Sequence, residues 1–192
     1  MRRVAIAVVL LVTASARADS VFDVLGGLAA PIADDNWTKT IDTSGKLAIH
    51  AGGTTSNTTT SFGGMLGLDW TPAKTGSSGG FASYSLNRFR ALVSGFGLFR
   101  VGSRLMLEAR AGVGIDLTYT QATVLGSSSS DTEVGVAFEV GGGAWFDVGS
   151  IDIGGEIALP ISIHSQHTFD GIPFPSYTSV DIDLLLGVRF RH

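Results

Sequence analysis

One short stretch combines the residue types that acyl transfer uses. Ser162 and His164 stand two residues apart, His167 follows them, and Glu156 precedes them. A hydrolytic serine needs a histidine within hydrogen-bond reach and a carboxylate that orients the histidine. In a strand, Ser162, His164 and Glu156 would share one face, because side chains alternate between faces. These residue types would suit a hydrolase that modifies lipids, but no surrounding motif supports such an enzyme. We therefore predict no catalytic residues.

The same stretch offers little to a metal ion. His164 and His167 are two ligands, whereas zinc sites use three or four protein ligands. The glycines from Gly141 to Gly143 lie within an alternating segment and are not followed by a helix, so they do not form a phosphate loop. We therefore predict no metal site and no cofactor.

Most ionisable residues instead recur at every second position, which we call the charged parity. The positions between them form an unbroken apolar parity. The charged parity carries six bases and eleven acids: Lys46, Arg88, Arg90, Arg100, Arg110, Arg189, Asp23, Asp69, Glu108, Asp116, Glu133, Glu139, Asp147, Asp152, Glu156, Asp181 and Asp183. Alternation with period two is typical of strands. It predicts eight strands at about 22–32, 47–51, 62–70, 89–101, 105–119, 134–148, 151–163 and 180–190, and no charge falls on their apolar faces.

The first eighteen residues have a different character. Two arginines precede an apolar run from Val4 to Val12, and Ala16 and Ala18 form an A-x-A cleavage pattern. This predicts a secretory signal peptide over 1–18 and a single mature domain over 19–192. Without the three arginines of the signal, the net charge falls from −4 to −7, which disfavours nucleic acid as a partner. The chain has no cysteine, so no disulfide holds the fold.

Alternation alone leaves open which face is inside. A soluble lipocalin-like binding barrel would have an apolar interior, whereas an outer-membrane barrel has a lipid-facing apolar belt and a polar lumen. The aromatic residues on the apolar parity favour the membrane, because they fall at strand ends, as in two interfacial girdles: Phe22, Phe62, Phe99, Phe146 and Phe190 at one end, and Trp70, Phe89 and Tyr119 at the other. A lipid-facing charge near the midplane would cost about 2–4 kcal/mol.

The connections also alternate in length. Polar loops are predicted at about 33–45, 72–85, 120–132 and 165–179, and tight turns at 102–104 and at Gly149-Ser150. Aromatic side chains in the long loops are candidate contacts for an unknown surface partner, since loops on a rigid scaffold often carry binding. The candidates are Trp37, Phe169, Phe174 and Tyr177.

Over the mature chain, these features resemble the small eight-stranded outer-membrane barrels of the OmpA/OmpX type. The signal peptide, the alternating connections and the terminal VDIDLLLGVRF carry the resemblance. It implies an all-β, antiparallel, up-and-down transmembrane β-barrel in the cell outer membrane, surrounded by lipid, and we expect a monomer. It also implies that the barrel-assembly machinery reads the aromatic Phe190, although Arg191 and His192 follow it here.

The expected function is that of a non-enzymatic outer-membrane protein. Eight strands leave an interior that side chains can fill, so the charged parity predicts a salt-bridged, closed lumen. The role would then be envelope integrity or surface interaction through the extracellular loops. A narrow, weakly cation-preferring pore is the alternative, because acids outnumber bases in the lumen. The soluble lipocalin-like barrel is the second alternative.

Overall fold

Strands make up nearly all of the described protein. The computed structural model describes residues 19–33, 43–55, 59–78, 82–124, 127–169, 172–174 and 176–191. The predicted signal peptide and Trp37 lie outside these residues. The strands are β1 (Asp19–Ala33), β2 (Ser44–Thr54), β3 (Thr60–Ser78), β4 (Ala82–Val101), β5 (Leu105–Val124), β6 (Ser127–Asp147), β7 (Ile151–His164), β8 (His167–Phe169), β9 (Ile172–Phe174) and β10 (Tyr177–Arg191). Within these residues, no helix has the length and apolar character that a membrane span requires.

Eight of the strands form a closed antiparallel barrel. Each strand from β1 to β7 pairs with the next in sequence, and β10 pairs with both β7 and β1. At the closing seam Phe22 lies opposite Phe190, and Asp23 lies opposite Arg189. The short strands β8 and β9 form a separate hairpin between β7 and β10. This architecture confirms the predicted eight-stranded up-and-down barrel.

The two faces of the barrel differ as the alternation predicts, with charges inside and apolar side chains outside. In β10, Asp183 and Arg189 are fully buried, whereas Leu186 is 75% exposed. Every strand of the barrel presents half-exposed or exposed aliphatic or aromatic residues on its outer face. A soluble protein rarely exposes so continuous an apolar surface, so the exterior is suited to lipid and not to water.

Both predicted tight turns are present. Residues 102–104 connect β4 to β5, and Gly102 has a φ of 73°. Between β6 and β7, the amide of Val148 donates to the carbonyl of Ile151 at 3.1 Å, which closes a two-residue turn. Gly149 in this turn has a φ of 116°, a conformation that glycine adopts without steric cost.

Two of the predicted long loops are instead strand. The prediction placed loops at 72–85 and 120–132, but β3 continues to Ser78, β4 starts at Ala82, and β5 and β6 pair out to Val124 and Ser127. Serine, glycine and proline there suggest turns, but pairing between β4 and β5 satisfies the backbone and outweighs that composition. A register shift between Thr71 and Lys74 accommodates Pro72.

These extensions form a four-stranded sheet that stands above the rest of the barrel. The pairing of β2 with β3 ends at Trp70, and the pairing of β6 with β7 ends at Gly135, so neither flanking strand follows the extensions. We call the part of β3 to β6 beyond these two residues the raised sheet. A β3 extension of eight residues, at about 3.3 Å per residue, would be roughly 25 Å long.

Glycines allow close approach between neighbouring strands. A Cβ atom built on Gly114 in β5 would lie 1.9 Å from the carbonyl oxygen of Ala91 in β4. Gly95 in β4 is on the outer face, and a Cβ there would have no neighbour nearer than 4.0 Å. The neighbouring backbone therefore requires a glycine at position 114 but not at position 95.

This contrast gives a matched pair of alanine variants in the same hairpin. Gly114→Ala should lower the free energy of unfolding in detergent micelles by about 2 kcal/mol, because the methyl group must push two paired strands apart. Gly95→Ala should change it by less than about 0.5 kcal/mol. Urea unfolding followed by tryptophan fluorescence measures both. Equal stability of the two variants would show that close approach at Gly114 does not constrain the barrel.

Candidate functional site in the barrel lumen

Both tight turns lie at one end of the barrel, which we call the periplasmic end because outer-membrane barrels have short periplasmic turns. At this end of the lumen, one arginine binds two acids beside the closing seam. Arg189 donates from Nε to Asp23 Oδ1 and from Nη2 to Asp23 Oδ2, both at 2.7 Å. The same Nη2 donates to Glu108, and the guanidinium lies 4.1 Å from the ring centroid of Trp145. All four side chains are buried. We call this group the Arg189 cluster.

A second arginine lies further into the lumen. Arg110 Nη2 is 2.9 Å from both Glu139 Oε1 and Glu156 Oε2. Its Nη1 is 3.0 Å from His50 Nδ1. Because a guanidinium can only donate, His50 must accept at Nδ1, which leaves the ring proton on Nε2. We call these four residues the Arg110 cluster.

A buried lysine also lies between two acids. Lys46 Nζ is 2.5 Å from Asp69 Oδ2 and 2.5 Å from Asp183 Oδ2. All three side chains are at most 4% exposed. These residues come from β2, β3 and β10, so the Lys46 cluster crosses the barrel. Strand pairing places Lys46 opposite Gly27.

Two arginines and two aspartates lie toward the extracellular end. Arg88 Nη1 and Arg90 Nη2 approach Asp181 Oδ2 at 2.6 and 2.5 Å. Both also contact Asp116 Oδ2 through Nε, at 3.5 Å from Arg88 and 3.1 Å from Arg90. Ser162 donates its hydroxyl to the same Asp116 oxygen at 2.5 Å. We call the four charged residues the upper arginine cluster.

Longer contacts join the four clusters into one network. Arg110 lies 3.8 Å from Glu108, His50 Nε2 lies 3.5 Å from Asp69, and Arg90 lies 3.7 Å from Asp183. The network therefore runs from the Arg189 cluster to the upper arginine cluster. It contains all eleven residues of the predicted lumen charge network: Lys46, Asp69, Arg88, Arg90, Glu108, Arg110, Asp116, Glu139, Glu156, Asp183 and Arg189. Chemically, it can fill the lumen with fixed ion pairs.

The structure corrects the prediction for Tyr177. This residue was predicted to be an exposed loop contact, but it begins β10 and is only partly exposed. Its hydroxyl donates to Glu133 at 2.7 Å, and its ring stacks on His164 with centroids 4.6 Å apart. The loop ends before Tyr177 because β10 pairs with β7 as far as His164. Phe169 and Phe174 lie in the β8–β9 hairpin, at the positions opposite Ile172 and His167.

The acyl-transfer arrangement does not form. Ser162 gives its hydrogen bond to Asp116 and none to His164. The nitrogens of His164 lie 3.6 Å from Glu133 and 3.9 Å from Asp116, beyond hydrogen-bond reach. Ser162 and His164 are at most 1% exposed, so a bilayer lipid outside the barrel cannot contact them. This geometry does not support a serine–histidine nucleophile.

At the periplasmic rim, the structure accounts for a residue that the sequence left unexplained. Arg191 Nη2 lies 3.0 Å from Asp147 and 2.6 Å from Asp152, and it ties the end of β10 to the turn between β6 and β7. The Gly149 amide donates to Asp147 and, with Arg191, lowers the pKa of this carboxyl. Arg100 departs from the predicted lumen set, because it is exposed and donates to the carbonyl of Ser103.

The predicted girdle aromatics all lie on the outer face: Phe22, Phe62, Trp70, Phe89, Phe99, Tyr119, Phe146 and Phe190, between 39% and 61% exposed. Neighbours contact each other at both rims. Phe22 and Phe190 have ring centroids 6.1 Å apart across the seam, and Trp70 stacks on Phe89 at 6.1 Å. Phe89 and Phe99 are ten residues apart, which for a strand tilted by about 40° corresponds to roughly 25 Å of membrane.

The Arg189 cluster provides a test of the buried network. Arg189→Met should cost about 3–5 kcal/mol in unfolding free energy, because Asp23 and Glu108 lose their buried cation. The exposed Arg100→Met, with the same charge change, should cost less than about 0.5 kcal/mol. Adding Asp23→Asn and Glu108→Gln to Arg189→Met should recover most of the loss. If Arg189→Met unfolds at the wild-type urea concentration, the network does not hold the seam.

Comparisons with known proteins find the fold but no close relative. No family model matches the sequence, and no curated protein is detectably similar to it. Among solved structures, Ail, the attachment invasion locus protein of Yersinia pestis, superposes with a TM-score of 0.60 at 13% identity, over 92% of this chain and 99% of that chain. A major outer membrane protein from Thermus thermophilus gives 0.54 at 12% identity, over 90% and 99%.

A third similar structure is the outer membrane protease OmpT from Escherichia coli, with a TM-score of 0.51 at 8% identity, over 91% of this chain and 97% of that one. A protease is thus among the similar structures, so the fold does not decide whether this chain is an enzyme. The apolar exterior and the two aromatic girdles agree with the membrane location that this fold implies. The chain therefore has the architecture of the small OmpA/OmpX-type outer-membrane barrels, with an exterior suited to lipid.

Proposed function

We propose that this protein is a closed, non-enzymatic barrel that anchors a rigid binding surface at the outside of the outer membrane. The observation that carries the proposal is the continuous ion-pair network, which extends along the lumen through all four clusters. The membrane-embedded part then serves as a stable scaffold. The raised sheet and the loops beside it supply the contacts with a partner.

A closed lumen follows from how the cations are held. Arg189, Arg110 and Lys46 each contact two buried carboxylates, so moving any one of them exposes two unpaired acids. Breaking one buried pair typically costs about 3–5 kcal/mol. A continuous water path would require several such steps at once. The network therefore supports a plug more strongly than it supports a pore.

The raised sheet supports the surface role. Strand pairing holds its backbone well beyond the outer girdle, whereas ordinary loops lack such support. The loop candidates Phe169 and Phe174 belong to a connection on the same side of the barrel as this sheet. Attachment is the role named for the Yersinia pestis protein, and we propose a surface contact of that general kind here. The partner is unknown, and the barrel itself would act as a monomer.

Planar-bilayer recording tests the closed lumen. The refolded wild-type protein should give no discrete conductance steps in 1 M KCl, a salt concentration chosen only to maximise signal. A variant with Arg110, Glu139 and Glu156 all changed to serine removes the centre of the network and should conduct, which shows that the recording detects an opened barrel. Cation-selective steps from the wild-type protein would instead support the narrow pore and refute the plug.

Cysteine labelling tests the position of the raised sheet, since the natural chain contains no cysteine. Ser130→Cys lies on the β6 extension, and Ser150→Cys lies in the turn between β6 and β7. On intact cells, a membrane-impermeant maleimide should label Ser130→Cys but not Ser150→Cys. Permeabilising the outer membrane should make the second site reactive as well. The opposite order of labelling would place the raised sheet in the periplasm and overturn the surface role.

A further inference from the structure

The lumen contains more negative charge than its own bases can balance. Within the described residues, nine carboxylates are buried: Asp23, Asp69, Glu108, Asp116, Glu139, Asp152, Glu156, Asp181 and Asp183. The buried permanent cations number five: Lys46, Arg88, Arg90, Arg110 and Arg189. Arg191 at the rim forms an ion pair with Asp152. Eight other buried acids therefore remain against five buried bases. A low-dielectric interior does not hold such an excess without a compensating cation or proton.

The excess is concentrated where the Lys46 and Arg110 clusters meet. Asp69 from β3, Glu139 from β6 and Asp183 from β10 each direct one oxygen into a space where these atoms lie within 4.8 Å of one another. Lys46 contacts Oδ2 of both aspartates. The other oxygen, Oδ1, accepts no hydrogen bond from the described residues on either aspartate. On Asp69 this oxygen has only a long contact, at 3.5 Å from His50 Nε2. Asp69 is 4% exposed and Asp183 is fully buried, so solvent does not supply the missing donors.

We propose that Asp69, Glu139 and Asp183 form a binding site for one hard divalent cation, of the Ca²⁺, Mg²⁺ or Mn²⁺ class. Such ions take carboxylate oxygens at about 2.0–2.6 Å, so two ligands of one ion can be up to roughly 5 Å apart. Lys46 lies between Asp69 and Asp183, and Arg110 lies between Glu139 and Glu156. These four acids and two bases together carry a charge of −2, which one divalent ion neutralises. Each aspartate can bind Lys46 through one oxygen and the ion through the other.

A second group of possible ligands is less suitable. Asp23, His50 and Glu156 also place ligand atoms within 4.8 Å of one another. However, Arg189 donates to both oxygens of Asp23, and Arg110 contacts His50 Nδ1 and Glu156. Both oxygens of Asp23 are therefore already occupied by Arg189, whereas Asp69 and Asp183 each keep one oxygen that accepts no hydrogen bond. The cation site goes beyond the proposed function and requires neither a closed nor an open lumen.

Glu139 and Glu156 provide a matched pair for the test. Each is buried and lies 2.9 Å from the same Arg110 nitrogen, but only Glu139 belongs to the proposed site. Wild-type protein, Glu139→Gln and Glu156→Gln are refolded into detergent micelles with MnCl₂, and their folding is verified by heat-modifiable mobility. Free Mn²⁺ is then removed by gel filtration. Metal content is measured by mass spectrometry, and affinity is measured from the electron paramagnetic resonance signal of free Mn²⁺.

The expected result is one Mn²⁺ per wild-type chain and per Glu156→Gln chain, with binding at least about tenfold weaker in Glu139→Gln. EDTA present during refolding should lower the urea midpoint of the wild-type protein and leave that of Glu139→Gln unchanged. Wild-type protein that folds but retains no Mn²⁺ would overturn the proposal, and this outcome needs no variant. Loss of Mn²⁺ in Glu156→Gln, with retention in Glu139→Gln, would also overturn it.

Discussion

The inability of hydrocarbon to accept charge is the constraint on which the rest of this structure depends. A chain with so many acids and bases in its spanning strands can cross a bilayer only if every one of them turns inward. Strands also need a partner on each side, since an open edge would leave backbone groups unsatisfied in lipid. Closure of β1 on β10 meets both requirements. The Asp23–Arg189 pair lies at this seam, so the charge network and the closure support each other.

An eight-stranded barrel is narrow, and its charges must therefore pair across it. Cations held between two acids lie along the lumen, Trp145 packs against Arg189, and glycines make room where strands approach closely. The resulting interior holds more acids than bases. Outside the membrane the constraint disappears, because water can satisfy a strand edge. The extensions of β3 to β6 can therefore continue as an open sheet where β2 and β7 have ended.

The fold could be predicted from the sequence because it depends on a pattern that every strand repeats. Alternation in segments such as 180–190 specifies both faces, and girdle aromatics such as Phe89 and Phe99 specify the height of the membrane band. Specific partners could not be predicted in this way. Whether Arg110 binds Glu139, Glu156 or both depends on the relative stagger of strands far apart in sequence. The carboxylates of the proposed cation site come from three such strands.

Local composition also misled where longer-range pairing decides the structure. The serines and Pro72 after Trp70 suggest a loop, yet pairing extends β3 to Ser78. Tyr177 follows a proline-rich segment, yet its ring packs on His164 at the extracellular end of β7. Arg191 appeared to be a trailing residue until its contacts with Asp147 and Asp152 were seen. In each case the deciding interaction joins residues on two different strands. The residues next to each one in the sequence do not identify its partner.

Tryptophan quenching tests the inside-out arrangement of the barrel most directly. Trp70 is 39% exposed on the outer face, whereas Trp145 is fully buried in the lumen. In single-tryptophan variants, in which Trp37 is replaced as well, lipids brominated near the headgroup should quench Trp70. Neither brominated lipids at any depth nor aqueous iodide should quench Trp145. Quenching of Trp145 by brominated lipid, with Trp70 unaffected, would contradict a charged interior and a lipid-facing apolar exterior.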